Sequence, residues 1–238
     1  SPFANRRQPS SMVHRSGGRS FGRVVIPAFG GQGPRISAFA DTLQEMLQRL
    51  AAAQPCGWIV DLRGNGGGNM WPMLAGVGPL LGETEDAGRF RSLDGDVRWY
   101  YGRGAAGTIA GDGAREEAAR ISGTPLPALR GAVAVLTDRG TASSGEALAI
   151  AFRGRSDTRS FGEATYGVPT ANQGFRLSDG ANIVLTVAIE VDRTGQEFDR
   201  EIVPDEPIAA EGQPDRPEQD PVSTRAISWL AATPDCRR

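Results

Sequence analysis

The stretch WIVDLRGNGGGN, residues 58–69, restricts the fold more than any other part of this chain. It opens on an apolar run, and residues 57–64 are predicted to form a strand that is buried on both faces. The glycine cluster that follows indicates a turn whose backbone approaches another group closely or adopts positive φ angles. Because helices must cover a strand of this kind, the stretch predicts a layered α/β fold with a largely parallel sheet.

The segments around this strand continue the α/β pattern. Residues 35–53 carry apolar side chains at steps of three and four, which predicts an amphipathic helix. A hairpin is predicted over residues 174–195, with Asp179-Gly180 as its turn. Residues 83–125 are more polar, with weak strand signals, and are interpreted as an excursion from the core. The other predicted elements are strands at 21–29, 131–138 and 158–163 and helices at about 70–82, 143–153 and 222–230.

The chain divides into a loose N-terminal arm (1–20), a core (21–210) and a Pro/Asp-rich segment with a short helix (211–238). Cys56 and Cys236 resemble no metal-ligand spacing and are interpreted as two unrelated thiols, with a disulfide that pins the C-terminus as the alternative. The net charge of −2 and the lack of an apolar run near ~20 residues predict neither nucleic-acid binding nor a membrane span. We expect no metal ion and no cofactor.

The segment LTDRGTASSGEALAIAF, residues 136–152, places two serines at the start of a predicted helix. Ser143 and Glu146 fit a capping box, which accounts for the pair by itself. The same position suits a nucleophile, because backbone N–H groups and the helix dipole favour a developing oxyanion there. The residues alone leave both interpretations open.

The glycine cluster also has two interpretations. It is no Walker A loop, because that motif needs a lysine, and the third glycine is misplaced for a dinucleotide fingerprint. It is either a tight turn or a nest of N–H groups that binds an anion or oxyanion.

The choice of a general base is narrow, because all 26 basic residues are arginines. An arginine keeps its proton in a protein and cannot accept one from a nucleophile. The single histidine, His14, is either a solvated residue of the arm or a catalytic base. A neutral imidazole is the natural base near neutral pH, so His14 is favoured over a carboxylate with a raised pKa or a base from a partner subunit.

Five segments occur in an order that resembles a known family: WIVDLRGNGGG (58–68), VAVLTDRGTASSGEALAIAF (133–152), FGEATYG (161–167), LSDGANIVLTVA (177–188) and IVPDEPI (202–208). Over roughly residues 20–210 they resemble the S41 serine peptidases, of the C-terminal processing and tricorn types. The resemblance implies a crotonase/Clp-like α/β core, here without a PDZ domain, and a peptide or protein substrate. Because family members are often exported, it also implies an extracytoplasmic location, periplasmic or secreted.

The resemblance assigns roles to individual residues. It implies Ser143 as the nucleophile and the backbone N–H groups of Ser144 and Gly68 as the oxyanion hole. Processing peptidases carry a lysine base directly after a G-E-x-T-x-G motif, but here that position holds Val168.

Tricorn-type members use a serine–histidine pair that a further serine and a glutamate support. Similarity to them implies His14 as the base, although Val13 stands where a supporting serine is expected. By position, Glu201 is the candidate for the supporting carboxylate and Glu163 is the second choice.

The sequence therefore predicts a serine hydrolase, a peptidase by resemblance, that acts through an acyl-enzyme at Ser143 with a base other than lysine. A catalytically inactive ligand- or peptide-binding module on the same fold is the alternative, which Val168 favours. Hydrolysis or acyl transfer on a non-peptide ester or amide is a third possibility, since a fold does not determine chemistry. The oligomeric state is not predicted.

Overall fold

A computed structural model describes residues 8–209 and 220–237. The first part of the chain forms β1 (Ser10–Ser16), β2 (Arg19–Val25), α1 (Arg35–Ala51), β3 (Gly57–Asp61), α2 (Met70–Leu81), β4 (Thr84–Ser92), β5 (Gly95–Gly102), β6 (Ala105–Ile109) and β7 (Arg115–Arg120). The second part forms β8 (Ala132–Thr137), α3 (Ser144–Phe152), β9 (Thr158–Gly162), β10 (Thr170–Arg176), β11 (Asn182–Val191), β12 (Glu197–Phe198), β13 (Glu206–Pro207) and α4 (Pro221–Ala231).

The first sheet is the largely parallel sheet that the sequence predicts. Its order is β1-β2-β3-β8-β9-β13, and every neighbouring pair is parallel except β1 with β2. One face packs on the main core, to which α1, α2 and α3 contribute, and α4 covers the other face. The central strands β3 and β8 are buried throughout, which explains their continuous apolar runs.

The second sheet is antiparallel, in the order β10-β11-β4-β5-β6-β7, with β12 paired to β11. The interpretation of residues 83–125 as an excursion is therefore wrong, because they form the four strands β4 to β7. Their signal is weak because part of this sheet is open to solvent, and β7 reads REEAAR with its first three residues exposed. The predicted hairpin is present as β10 and β11.

The prediction of a loose arm over residues 1–20 is wrong from residue 10 onward, because residues 10–16 form β1 and β2 begins at residue 19. Residues 10–16 form β1, an edge strand whose seven residues all pair in antiparallel register with Arg19–Val25 of β2. Its polar sequence hides it, because an edge strand buries little of its side chains. Residues 1–7 lie outside the described range.

The C-terminal segment is tied to the first sheet by a disulfide and by buried ion pairs. Cys56 and Cys236 form the disulfide, so the interpretation as two unrelated thiols is wrong and the alternative holds. Arg63 joins Asp61 at 2.8 Å and Asp220, the N-cap of α4, at 2.6 Å. The predicted final helix is confirmed as α4, while residues 210–219 lie outside the described range.

Candidate active site

Ser143 occupies a strained turn between β8 and α3. It immediately precedes the first residue of the helix, with φ 52° and ψ −120°, where a non-glycine residue is rarely found. Backbone strain of this kind costs about 1–3 kcal/mol and persists only where the surroundings impose it. The side chain is half-buried at the helix N-terminus.

Glu146 imposes this turn through four hydrogen bonds. One carboxylate oxygen, Oε2, accepts from the N–H of Ser143 at 2.7 Å and of Val168 at 3.0 Å. The other, Oε1, accepts from the Thr165 hydroxyl and from the N–H of Gly167 at 2.9 Å. A carboxylate offers about four acceptor positions, so these donors saturate it. The fully buried Glu146 thereby holds the serine turn against the segment 165–168.

The glycine cluster lies against the same turn, and Asn65 connects the two. Its carbonyl oxygen accepts from the Ala142 N–H at 2.9 Å, and its Oδ1 accepts from the Gly67 N–H at 3.0 Å. A Cβ atom at Gly67 would lie 2.8 Å from the Cβ of Ser143, so only glycine fits there. The close approach that the glycines predict is therefore to the serine turn itself.

The two backbone N–H groups that the sequence predicts as an oxyanion hole lie at this junction. Neither the Gly68 N–H nor the Ser144 N–H has an acceptor within the described part of the chain. The Ser144 hydroxyl donates to the Gly68 carbonyl oxygen at 2.6 Å, which links the two residues directly. Gly68 has φ +111°, and a Cβ atom there would lie 2.2 Å from the Phe29 oxygen.

Val168 stands beside Ser143, as the motif comparison implies. Their N–H groups share the Oε2 atom of Glu146 at 3.0 and 2.7 Å, so the two nitrogens lie within about 6 Å of each other. Valine has no ionisable group. The position that carries the base in processing peptidases therefore supplies none here.

The structure does not bring His14 to Ser143. The register across β1, β2, β3 and β8 aligns His14 with Phe21, Gly57 and Ala132, near the amino ends of the parallel strands. Ser143, in contrast, follows the carboxyl end of β8. Four residues along a strand span about 13 Å and three strand spacings about 14 Å, which places His14 on the order of 20 Å from the serine turn.

Glu201 and Glu163 both border the segment that Glu146 holds. A Cβ atom at Gly167 would lie 3.0 Å from the Glu201 nitrogen, and the next residue, Ile202, donates to the Thr165 hydroxyl at 2.9 Å. Glu163 is bonded through its backbone to the end of β8. Neither carboxylate has a hydrogen bond to Ser143 within the described residues.

One buried carboxyl group near the site was missed in the sequence. Glu190 lies in β11, is 2 % exposed, and its N–H donates to the Pro169 oxygen, one residue after Val168. Burial, and then the charge of Glu146, raise the pKa of Glu190 well above its usual range. The available signal was a lone charged residue in the apolar run IVLTVAIEV.

The sequence and the fold of this chain are similar to those of known proteins. The family model described as "Peptidase family S41" matches residues 20–208. The chain belongs to peptidase family S41. The Clp-like α/β fold expected for that family is confirmed, because this chain is similar to solved structures of such proteases. One of them is the photosystem II D1 C-terminal processing protease. That structure has a TM-score of 0.64 and 20% identity, and the match covers 97% of this chain and 54% of the protease.

Two bacterial proteins are similar at higher identity. The nisin-resistance protein of Lactococcus lactis subsp. lactis is 33% identical over 174 residues, which cover 72% of this chain and 51% of that protein. A lipoprotein from Streptococcus agalactiae has a TM-score of 0.70 and 26% identity, covering 95% of this chain and 70% of its own. This S41 chain thus spans about half the length of the nisin-resistance protein.

Proposed function

We propose that this chain is the core of a serine peptidase in which Ser143 is the nucleophile. The strained serine turn at the start of α3, beside two N–H groups without acceptors in the described chain, carries the proposal. Backbone strain at a residue with a nucleophilic side chain is typical of functional sites. Membership of a peptidase family supports a peptide or protein substrate.

In the proposed reaction the Ser143 Oγ forms a bond to the substrate carbonyl carbon as its proton leaves. The N–H groups of Gly68 and Ser144 bind the oxyanion, and breaking the C–N bond returns the proton to the leaving amine. Water then hydrolyses the acyl-enzyme. Glu146 accepts hydrogen bonds from four donors and has no free position for this proton, so its role is to hold the turn.

We assign proton transfer to Glu201 rather than to His14. The segment that carries Glu201 packs on Gly167, whose N–H is bound to Glu146. The Glu201 side chain is exposed and follows the end of β12, so its reach is not restricted by a sheet. His14, in contrast, is held in the paired register of β1 with β2.

Peptide substrates fit the free edge of β10. This strand is the outermost of its sheet and begins two residues after Val168, which places its unpaired backbone groups next to Ser143. An extended peptide that adds to such an edge gains main-chain hydrogen bonds. We propose that the substrate binds there as an added strand.

An extracytoplasmic location is proposed from two observations. The Cys56–Cys236 disulfide is typical of oxidising compartments. A lipoprotein and a nisin-resistance protein are among the relatives. No helix in the described residues is both long and apolar enough to cross a bilayer.

A binding module without catalysis is the second candidate function. Val168 favours it, because the residue next to the serine turn carries no base. In that case the free N–H groups of Gly68 and Ser144 would bind a carboxylate or carbonyl group of a peptide without cleaving it.

Covalent labelling with a fluorophosphonate tests both functions. We expect the wild type and His14→Ala to be labelled, Glu201→Gln to be labelled more slowly, and Ser143→Ala not at all, by intact mass. Labelling of Ser143→Ala would refute the assignment of the nucleophile. Loss of labelling in a folded His14→Ala would refute Glu201 as the proton acceptor, and a folded but unlabelled wild type would favour the binding module.

A further inference from the structure

Glu190 is a buried carboxyl group that the proposed reaction does not use. Its Oε2 atom is buried and has no hydrogen-bond partner within the described residues. Leaving a polar group buried without a partner is costly, so such a group in a native core calls for a function. No hydrogen bond joins it to Ser143 in the described chain, so it is not placed to act as the base.

The environment of Glu190 is apolar on the side to which it points. Its register partners are Phe90 on β4 and Phe198 on β12, and residues opposite each other share a sheet face. Phe90 packs against the rings of Trp71 and Trp99. Desolvation in these surroundings favours the uncharged form of a carboxyl group.

Among the described residues, the Glu146 carboxylate on α3 is the charge that adds to burial in raising the pKa of Glu190. Arg153, also near α3, lies over the Phe198 ring at 5.4 Å and faces the Asp192 carboxylate at 3.7 Å. On β4 and β12 the neighbouring charged side chains, Arg89, Arg91 and Glu197, alternate to the opposite sheet face. The helix α2 carries no charged residue.

We propose that Glu190 is a positioning residue of the serine site. While uncharged, it allows the neighbouring Glu146 to remain ionised and to hold the Ser143 turn, and its ionisation sets the alkaline limit of the activity. The second part rests on the proposed function, because it needs Ser143 to react. Glu190 is connected to the serine turn through hydrogen bonds. Its N–H donates to the Pro169 oxygen, and the N–H of the preceding residue, Val168, donates to the Glu146 carboxylate.

Two readouts test the proposal with two variants. Glu190→Gln keeps the shape of the uncharged group but cannot titrate, whereas Glu190→Asp keeps a carboxyl group that titrates. The first is the equilibrium constant for unfolding in urea. A group protonated only in the folded state destabilises that state as pH rises above its unfolded pKa. Relative to Glu190→Gln, the wild-type unfolding constant should rise about tenfold per pH unit from near pH 5 until Glu190 ionises.

The second readout is the rate of fluorophosphonate labelling between pH 6 and 10. We expect equal rates for wild type and Glu190→Gln at pH 6, a fall at high pH for wild type and Glu190→Asp, and no fall of that kind for Glu190→Gln. Superimposable alkaline limbs for wild type and Glu190→Gln would overturn the role in positioning. A parallel pH dependence of unfolding in both would overturn the uncharged state itself. Absence of labelling in every variant would instead refute the proposed function, and the unfolding comparison would still decide whether Glu190 is uncharged.

Discussion

Replacing Glu146 with glutamine tests whether one carboxylate holds the serine turn. The glutamine oxygen can keep two of the four donors, while its NH2 group meets the other two. In the better placement the NH2 group faces the Thr165 hydroxyl, which can accept, and the Gly167 N–H, which cannot. A buried donor without a partner costs about 1–3 kcal/mol, so the free energy of unfolding should fall by at least about 1–3 kcal/mol. This compares with the ~5–15 kcal/mol that stabilises a typical domain.

Urea unfolding followed by circular dichroism measures this loss, with Glu116→Gln as the matched control. Glu116 is exposed on β7, so its substitution should change the free energy of unfolding by less than about 0.5 kcal/mol. Fluorophosphonate labelling of the folded Glu146→Gln fraction should also fall, because the serine turn is then held less firmly against the segment 165–168. A destabilisation below about 1 kcal/mol would refute the reasoning, since it would mean that the four donors find other acceptors.

Three further predictions concern the glycine cluster, the disulfide and the buried ion pairs. Gly68→Ala should abolish labelling, because its Cβ atom would lie 2.2 Å from a backbone oxygen, whereas Gly30→Ala meets nothing within 4 Å and should be labelled normally. Replacing Cys56 and Cys236 together with alanine should lower the free energy of unfolding by about 2–5 kcal/mol, and a reducing agent should then have no further effect on the melting temperature. Burial alone would raise the pKa of Asp61, but its arginine partners outweigh burial and lower this pKa. The stabilisation that Asp61 contributes is therefore present above its unfolded pKa near 3.9 and is lost as pH falls through its folded pKa. Asp61→Asn should therefore flatten the acid limb of stability below about pH 4, and an unchanged limb would contradict the ion-pair argument.

The sequence predicts the central strands of the first sheet, β3 and β8, because they are buried on both faces. A continuous apolar run such as residues 132–137 indicates a strand that is buried on both faces. Glycines indicate the turns at which such strands end. The second sheet escapes prediction because strands like β7 bury few side chains, and their pairing depends on partners distant in sequence.

The candidate site is predictable where a local pattern determines the geometry. Ser143 and Glu146 are three residues apart, and the observed bond between them follows from that spacing. The position of His14 does not follow from its order in the chain, because the register of β1 on β2 decides which end of the sheet it reaches. The burial of Glu190 depends on aromatic side chains from two other strands, which no local pattern contains.

The capping role and the proposed catalytic role of the serine segment use different N–H groups at the start of α3. A cap and an oxyanion hole would compete if both needed the same donors. Here the Glu146 carboxylate takes the N–H of Ser143, and that of Ser144 is left without an acceptor in the described chain. The cap therefore fixes the proposed nucleophile and leaves the N–H of Ser144 without a partner in the described chain, so one glutamate would serve helix stability and the proposed chemistry together.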